Sequence, residues 1–294
     1  MRLATADLET GVGLADALVG CDVVFHLAGA VRGLTRGDFF RPNADGVRHL
    51  VETASRCAVP PVVVVVSSLA AAGPAVDGRP HEPGDVARPI SLYGESKLAG
   101  EAAARQFADR VPITIVRPPI VFGQGDRASF EWFRSIAKFR VHAVPGRRTA
   151  RFSLIHVDDV VDALMAAAER GRRLVPGDDP AARGTGLYYV ADDQMPTYRE
   201  IGELVAAALG IKRYIALPIP SPILRFAGFA GECAARVTGQ PPLLGRDKAR
   251  EATAGSWICS PATARGELGF AQSKALAEQF AAAAAWYREQ KWLS

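Results

Sequence analysis

A chain of 294 residues and 31.3 kDa, 49% hydrophobic and 22% charged, can bury a sizeable core, which excludes global disorder. Its net charge of +4 and pI near 9.0 come without a Lys/Arg block, so no nucleic-acid partner is expected. Cys21, Cys57, Cys233 and Cys259 lie far apart without a C-x-x-C, which excludes a disulfide scaffold and a cysteine zinc site, predicts no metal, and fits a cytoplasmic setting.

No stretch is apolar and long enough for stable membrane insertion, and Met1 to Thr10 lacks the apolar run of a signal peptide. In chain order, Val23 to Leu27 reads as a strand and Asn43 to Arg56 as a helix with Val47, Leu50, Val51 and Ala54 on one face. Val62 to Val66 is five valines in a row, which suits a parallel strand buried on both faces. Tyr93 to Ala108 is helical, and Ile113 to Val116 is a strand stopped by Pro118 and Pro119. Strands alternating with helices predict βαβ units and a parallel sheet. Right-handed crossovers then gather the loops after Leu27, Val66 and Val116 at one sheet edge, where ligands bind.

Further on, Phe152 to His156 reads as a strand and Asp158 to Glu169 as a helix, with Asp158 or Asp159 near its N-terminus. Leu187 to Val190 is a short strand. Thr197 to Leu209 is a helix with a Thr197/Glu200 capping box, ended by Gly210. Ile215 to Ala235 is apolar but broken by prolines and Arg225. It reads as a helix over a pocket or as an interfacial helix, the pocket wall being the plainer reading. Lys274 to Gln290 forms the last helix.

The strongest chemical signal is Tyr93-Gly94-Glu95-Ser96-Lys97. Tyr and Lys four apart share a helical face. A free phenol has a pKa of roughly 10. A nearby ammonium lowers it, and the pair can then exchange a proton with an alcohol or ketone. Alone, such a pair equally fits an ordinary surface contact. Ser67-Ser68 directly follows the valine strand on the expected ligand edge, where a hydroxyl can orient a reacting oxygen; small polar residues also simply end strands.

Together these segments resemble the extended short-chain dehydrogenase/reductases, the NAD-dependent epimerase/dehydratase group. The matches run in the family's order: Ala6-Asp7-Leu8, Val23 to Gly29, Asn43 with Gly46 and Leu50, Val65 to Ser68 through Gly73, Tyr93 to Lys97, Arg117 to Gly123, and Phe152 to Val160. The resemblance implies a Rossmann-like, doubly wound α/β fold: a dinucleotide-binding domain over 1–150 and a smaller, mostly helical substrate-binding part over 151–294. It implies NAD or NADP as cofactor and a small-molecule substrate. It makes Tyr93 the general acid/base. Lys97 would hold the nicotinamide ribose and lower the Tyr93 pKa, and Ser68 would bind the substrate oxygen. Asp7 would contact adenine, with Leu8 in its neighbourhood. Leu27, Ala28 and Gly29 would line the pyrophosphate and ribose path, and Pro119 would lie against the nicotinamide. Asn43 would prop the catalytic helix, and His26 and His156 would be satisfied structural histidines. A homodimer through the helices of 43–56 and 93–108 is also implied.

The family opens with a strand, a glycine-rich turn, a helix and a second strand, and this portion has no counterpart here. The chain starts at what resembles the third strand, Arg2 to Asp7, and Gly11-Val12-Gly13 is no substitute. The expectation is that coding sequence continues upstream of Met1; the competing one is a truncated, non-catalytic relative.

Leu69, Ala70 and Ala71 follow Ser68 without the acidic residues of some dehydratases, which favours simple hydride transfer between an alcohol and a ketone. Gly231 to Pro242, Arg246 to Trp257, Ala264 to Phe270 and Trp286 to Arg288 resemble the 3β-hydroxysteroid dehydrogenase-like and dihydroflavonol reductase-like branch. An apolar lid from Leu217 to Phe229 would suit a hydrophobic substrate. Nucleotide-sugar epimerization is the alternative, with Arg147, Arg148 and Arg151 as a diphosphate clamp.

Overall fold

The computed structural model describes residues 3–146, 149–177, 182–239, 242 and 244–293. The elements run α1 (Leu14–Leu18), β1 (Val23–His26), α2 (Arg36–Phe40), one π-helical turn (Arg41–Asp45), α3 (Gly46–Ala54), β2 (Val62–Val66), α4 (Leu69–Ala72), α5 (Leu92–Arg105), β3 (Ile113–Arg117), β4 (Ile120–Phe122), α6 (Arg127–Phe139) and β5 (Val141–Pro145). They continue β6 (Leu154–His156), α7 (Val157–Arg170), β7 (Leu187–Tyr189), α8 (Tyr198–Leu209), β8 (Ile215–Ile219), α9 (Ser221–Thr238), α10 (Arg246–Thr253), α11 (Ala262–Leu268) and α12 (Leu276–Glu289).

Four strands in the order β1-β2-β3-β7 make a wholly parallel sheet. The unalternating valines of β2 are buried from both sides. Val63 and Val65, with Ile113, Ile115, Leu187 and Tyr189, pack on α1, α3 and α5. Val64, with Val116 and Tyr188, packs on α7 and α11. This is the expected Rossmann-like α/β architecture, with helices on both faces. The far side of β1 pairs with no strand among the described residues. Residues 3–7 were expected to be a strand and are not one. No strand among the described residues lies beside them, and Asp7 instead closes a turn, donating its N–H to Val12 O and accepting from Gly11 N–H.

The second core is aromatic and lies among α6, α8 and α12, where Phe122 stacks on Phe280 at 4.4 Å. Two short parallel pairs accompany it, β4 with β6 and β5 with β8, so strands before residue 150 pair with strands after it. The Thr197/Glu200 capping box forms, and Gly210 terminates α8 in the left-handed region at φ 73°. The helix over 157–170 is capped by the His156 side chain, with Asp158 and Asp159 in its first turn. The expected strand over 152–156 begins only at Leu154, because Phe152 bridges to Trp257. Helix 43–56 begins with the π-helical turn before α3. Among the described residues no helix is long and apolar enough to cross a membrane.

Candidate active site

The C-terminal ends of β1, β2 and β3 face the N-terminal half of α5, and the motif residues meet there. Ser91 caps α5, accepting from Gly94 N–H at 3.1 Å. Gly94 is needed for close approach, since a Cβ there would lie 2.3 Å from Ala70 O. That approach sets α5 against the short α4, whose N-cap is Ser68, accepting from Ala70 N–H at 3.1 Å. The Ser68 hydroxyl stands near enough to Tyr93 to oppose the rise in its pKa. The loop after β3 joins this cluster through Pro118, whose carbonyl accepts from Leu69 N–H at 2.9 Å, and Pro119 follows it, half-buried.

Lys97 is buried one turn beyond Tyr93 and donates to Val66 O at 3.0 Å. Burial pulls its pKa down to about 8, against the charge of Glu101. Tyr93 behaves differently from expectation. Burial raises its pKa above the ordinary phenol value, the Ser68 hydroxyl opposes that, and the Glu251 carboxylate adds to it. Lys97 is not among the groups that move it.

Asn43 is buried in the π-helical turn. Its Oδ1 accepts from Ala30 N–H, and its Nδ2 donates to Ala30 O and to Ser96 Oγ, all at 2.8 Å. It thereby joins the loop after β1 to α5. Gly29 sits in the same corner, where a Cβ would come within 2.6 Å of Asn43 Oδ1 and 3.1 Å of Lys97 Nζ. Leu27, Ala28 and Gly29 are exposed beside Lys97. Asp7 and Leu8 stand apart from this cluster, in the turn before α1. Asp7 Oδ1 accepts from Glu9 N–H at 2.8 Å, and Leu8 packs against Gly46 while its carbonyl meets His49 Nδ1 at 2.9 Å.

His26 and His156 are buried but not satisfied: neither Nε2 has a protein partner among the described residues. Burial, helped by the Lys97 charge, pulls His26 down to about 4, so it is neutral at pH 7. Of the expected arginine clamp, Arg151 instead donates to Met195 O at 2.9 Å, while Arg147 and Arg148 lie outside the described residues.

Two groups escaped the sequence reading. The first is buried under Ser67. Ser67 Oγ donates to Glu101 Oε1, Arg117 forks onto both Glu101 oxygens, and Arg117 Nη1 donates to the Tyr189 hydroxyl at 2.6 Å. Burial opposes the Arg117 charge, but Glu101 and Tyr189 outweigh it and raise its pKa. Glu101 stands four residues after Lys97, a spacing that could have flagged it. The second is α10, which arrives from far along the chain. Asp247 Oδ2 accepts from Leu92 N–H at 2.7 Å, Glu251 Oε1 accepts from Ser91 Oγ at 2.6 Å, and Lys248 Nζ lies 5.3 Å from the Tyr93 ring centre. No local signal announces these contacts. Among the described residues no three His, Cys, Asp or Glu side chains converge as a metal site.

Residues 2–179 match the NAD dependent epimerase/dehydratase family. The chain belongs to that family. This family member is 30% identical over 295 residues to the ceramide reductase of Caulobacter vibrioides (strain NA1000 / CB15N), an alignment covering 100% of the chain and 82% of the reductase. It is 26% identical over 242 residues to the 3 beta-hydroxysteroid dehydrogenase/Delta 5-->4-isomerase of Mycobacterium tuberculosis (strain ATCC 25618 / H37Rv), covering 77% of the chain and 62% of that enzyme. Its fold matches that of MoeE5, solved with UDP-glucose and NAD, with a TM-score of 0.72 at 24% identity over 97% of the chain and 85% of MoeE5. The epimerase/dehydratase-family chain is therefore an NAD(P)-dependent enzyme of the extended short-chain dehydrogenase/reductase type.

Proposed function

We propose that this enzyme reduces a ketone on an apolar, lipid-like substrate to an alcohol, and runs the reverse oxidation, with Tyr93 as the proton carrier. The observation that carries the reading is the convergence of Ser68, Tyr93 and Lys97 at the carboxyl edge of the sheet, with α5 held there by Asn43. The corner beside Lys97 fits the nicotinamide ribose. Gly29 leaves room that a side chain would fill, and Lys97 and the exposed loop 27–29 face it. NAD(P) bound there supplies or accepts the hydride.

Ser68 hydrogen-bonds the reacting oxygen and fixes its direction. Tyr93, kept as a neutral phenol by burial, gives its proton to that oxygen as charge develops on it. Lys97 steadies the ribose end of the cofactor. Relatives named for ceramide and for 3β-hydroxysteroids direct the substrate choice toward lipids. Engagement of Arg151 with Met195 O speaks against an arginine clamp for a sugar diphosphate. A cytoplasmic location suits the four unpaired cysteines, and pairing as a homodimer through α3 and α5 completes the reading.

The test follows NADH and NADPH oxidation with long-chain keto-lipids and keto-steroids, and epimer formation from UDP-sugars, in the native protein and in Tyr93→Phe. Turnover of a keto-lipid that Tyr93→Phe abolishes is expected. Turnover of every accepted substrate surviving Tyr93→Phe overturns the mechanism, and turnover of UDP-sugars alone overturns the substrate class.

A further inference from the structure

Helix α9 is apolar on the wrong side. A helix lying on a protein surface turns its apolar stripe to the core and its charges to water. In α9 the residues packed against the body include Gly228 and Ala235, both small. At about 100° per residue, Phe229, Pro222, Cys233, Phe226, Val237, Ala230 and Ile223 follow one another around roughly 120° of the opposite, outward face. No charge interrupts that arc. Phe226 is 73% exposed, Val237 88% and Ile223 57%. Arg225 and Arg236 sit along one border of the arc, and Glu232 lies beyond them, paired with Arg246 at 3.3 Å. The Arg246 guanidinium also lies over the Phe229 ring, 4.6 Å from its centre. Just before the helix, Ile215 and Leu217 of β8 are exposed as well.

The cations that border this face are Arg225 and Arg236, neither in an ion pair among the described residues, while the acid on the same side, Glu232, is neutralised by Arg246. An apolar arc bordered by arginines suits an anionic lipid surface, into which the rings sink while the guanidinium groups stay among the headgroups. Eighteen residues make a helix about 27 Å long, and no described helix is apolar enough to cross a membrane, so α9 would lie along the surface.

The helix is also wired to the site. Gly228 lets α10 approach closely: a Cβ there would come within 2.9 Å of both Ala249 Cβ and Gly245 O. Helix α10 in turn holds the start of the catalytic helix through Asp247 and Glu251.

We propose that the outward face of α9 docks this enzyme reversibly on anionic membrane surfaces, setting the Tyr93 site beside the lipid layer; this builds on the lipid-substrate reading above. The test is co-sedimentation with phosphatidylglycerol/phosphatidylcholine vesicles and with pure phosphatidylcholine vesicles, without cofactor or substrate, so that it stands apart from any turnover result. The native protein is expected to partition onto the anionic vesicles and to release as salt rises from 0.05 to 0.5 M. Phe226→Asp combined with Ile223→Asp should lower that partitioning at least tenfold with an unchanged circular dichroism spectrum, since both side chains face outward. Absent binding, or binding that the double variant leaves intact, overturns the proposal. A native dimer that the double variant converts to monomer, without vesicle binding, overturns it in favour of a second copy on this face.

Discussion

Lys97 Nζ donates to the carbonyl of Val66, 3.0 Å away, and so ties α5 to the end of the central valine strand. The contact buries an ammonium beside the sheet, and burial raises the pKa of the neighbouring Tyr93 phenol. In the mechanism proposed above, this buried neutral phenol is the acid for the reductive direction.

Replacing Tyr93 by Phe should lower kcat/KM for ketone reduction by about 10²–10⁴-fold while leaving the fold intact. Because Tyr93 titrates above the ordinary phenol value, reduction by the native enzyme should show no alkaline loss attributable to it below about pH 10. Ser68→Ala removes the hydroxyl that lowers this pKa, so any alkaline limb should move further up. A pH profile of kcat/KM for both proteins checks the two directions.

The depressed Lys97 pKa makes a stability prediction. Its folded value of about 8 lies below the model-peptide value of 10.5, so between these pH values the unfolded chain binds the extra proton. Stability should therefore rise with pH across that window, by up to about 3 kcal/mol from this group. Urea unfolding of the native protein and of Lys97→Met from pH 7.5 to 10.5 measures the difference, and the variant should lack the rise.

His26 works the same way at acid pH. Its folded pKa of about 4 lies below the ordinary 6.5, so its neutral form is at home above pH 6.5, and stability drains away as pH falls from 6.5 toward 4. His26→Leu should flatten this part of the curve of thermal midpoint against pH. A native slope retained in the variant would assign the acid sensitivity elsewhere.

Glu101 is the anchor of the buried network. Glu101→Ala leaves the Arg117 guanidinium buried without its carboxylate and should cost about 3–5 kcal/mol. Glu101→Leu with Arg117→Met removes both charges and should recover most of that loss, read as urea midpoints across the cycle. Since Ser67 also binds Glu101, the single variant should in addition lower the activity of the folded fraction.

The parallel sheet was legible because β-branched runs bury themselves wherever they lie, and Val62 to Val66 has no polar face to present to water. The cluster of Ser68, Tyr93 and Lys97 was legible for a local reason too: helical spacing places Tyr93 and Lys97 on one face, and a strand end places Ser68 at the sheet edge. Capping of α8 by Thr197 and Glu200 is likewise a four-residue affair. What only the tertiary structure decided involves partners distant in sequence. The Tyr93 pKa depends on how deeply α5 is buried and on Glu251, 158 residues later. The unpartnered Nε2 of His26 and of His156 follows from what fails to pack near them. The segment at 3–7 was read as a strand from its neighbours in the motif order, but a strand exists only where another supplies its hydrogen bonds. The face that α9 turns outward was decided in the same way: periodicity alone would turn its apolar arc to the core, but Gly228, where a Cβ would crowd Ala249 Cβ and Gly245 O, turns the small side to α10 instead.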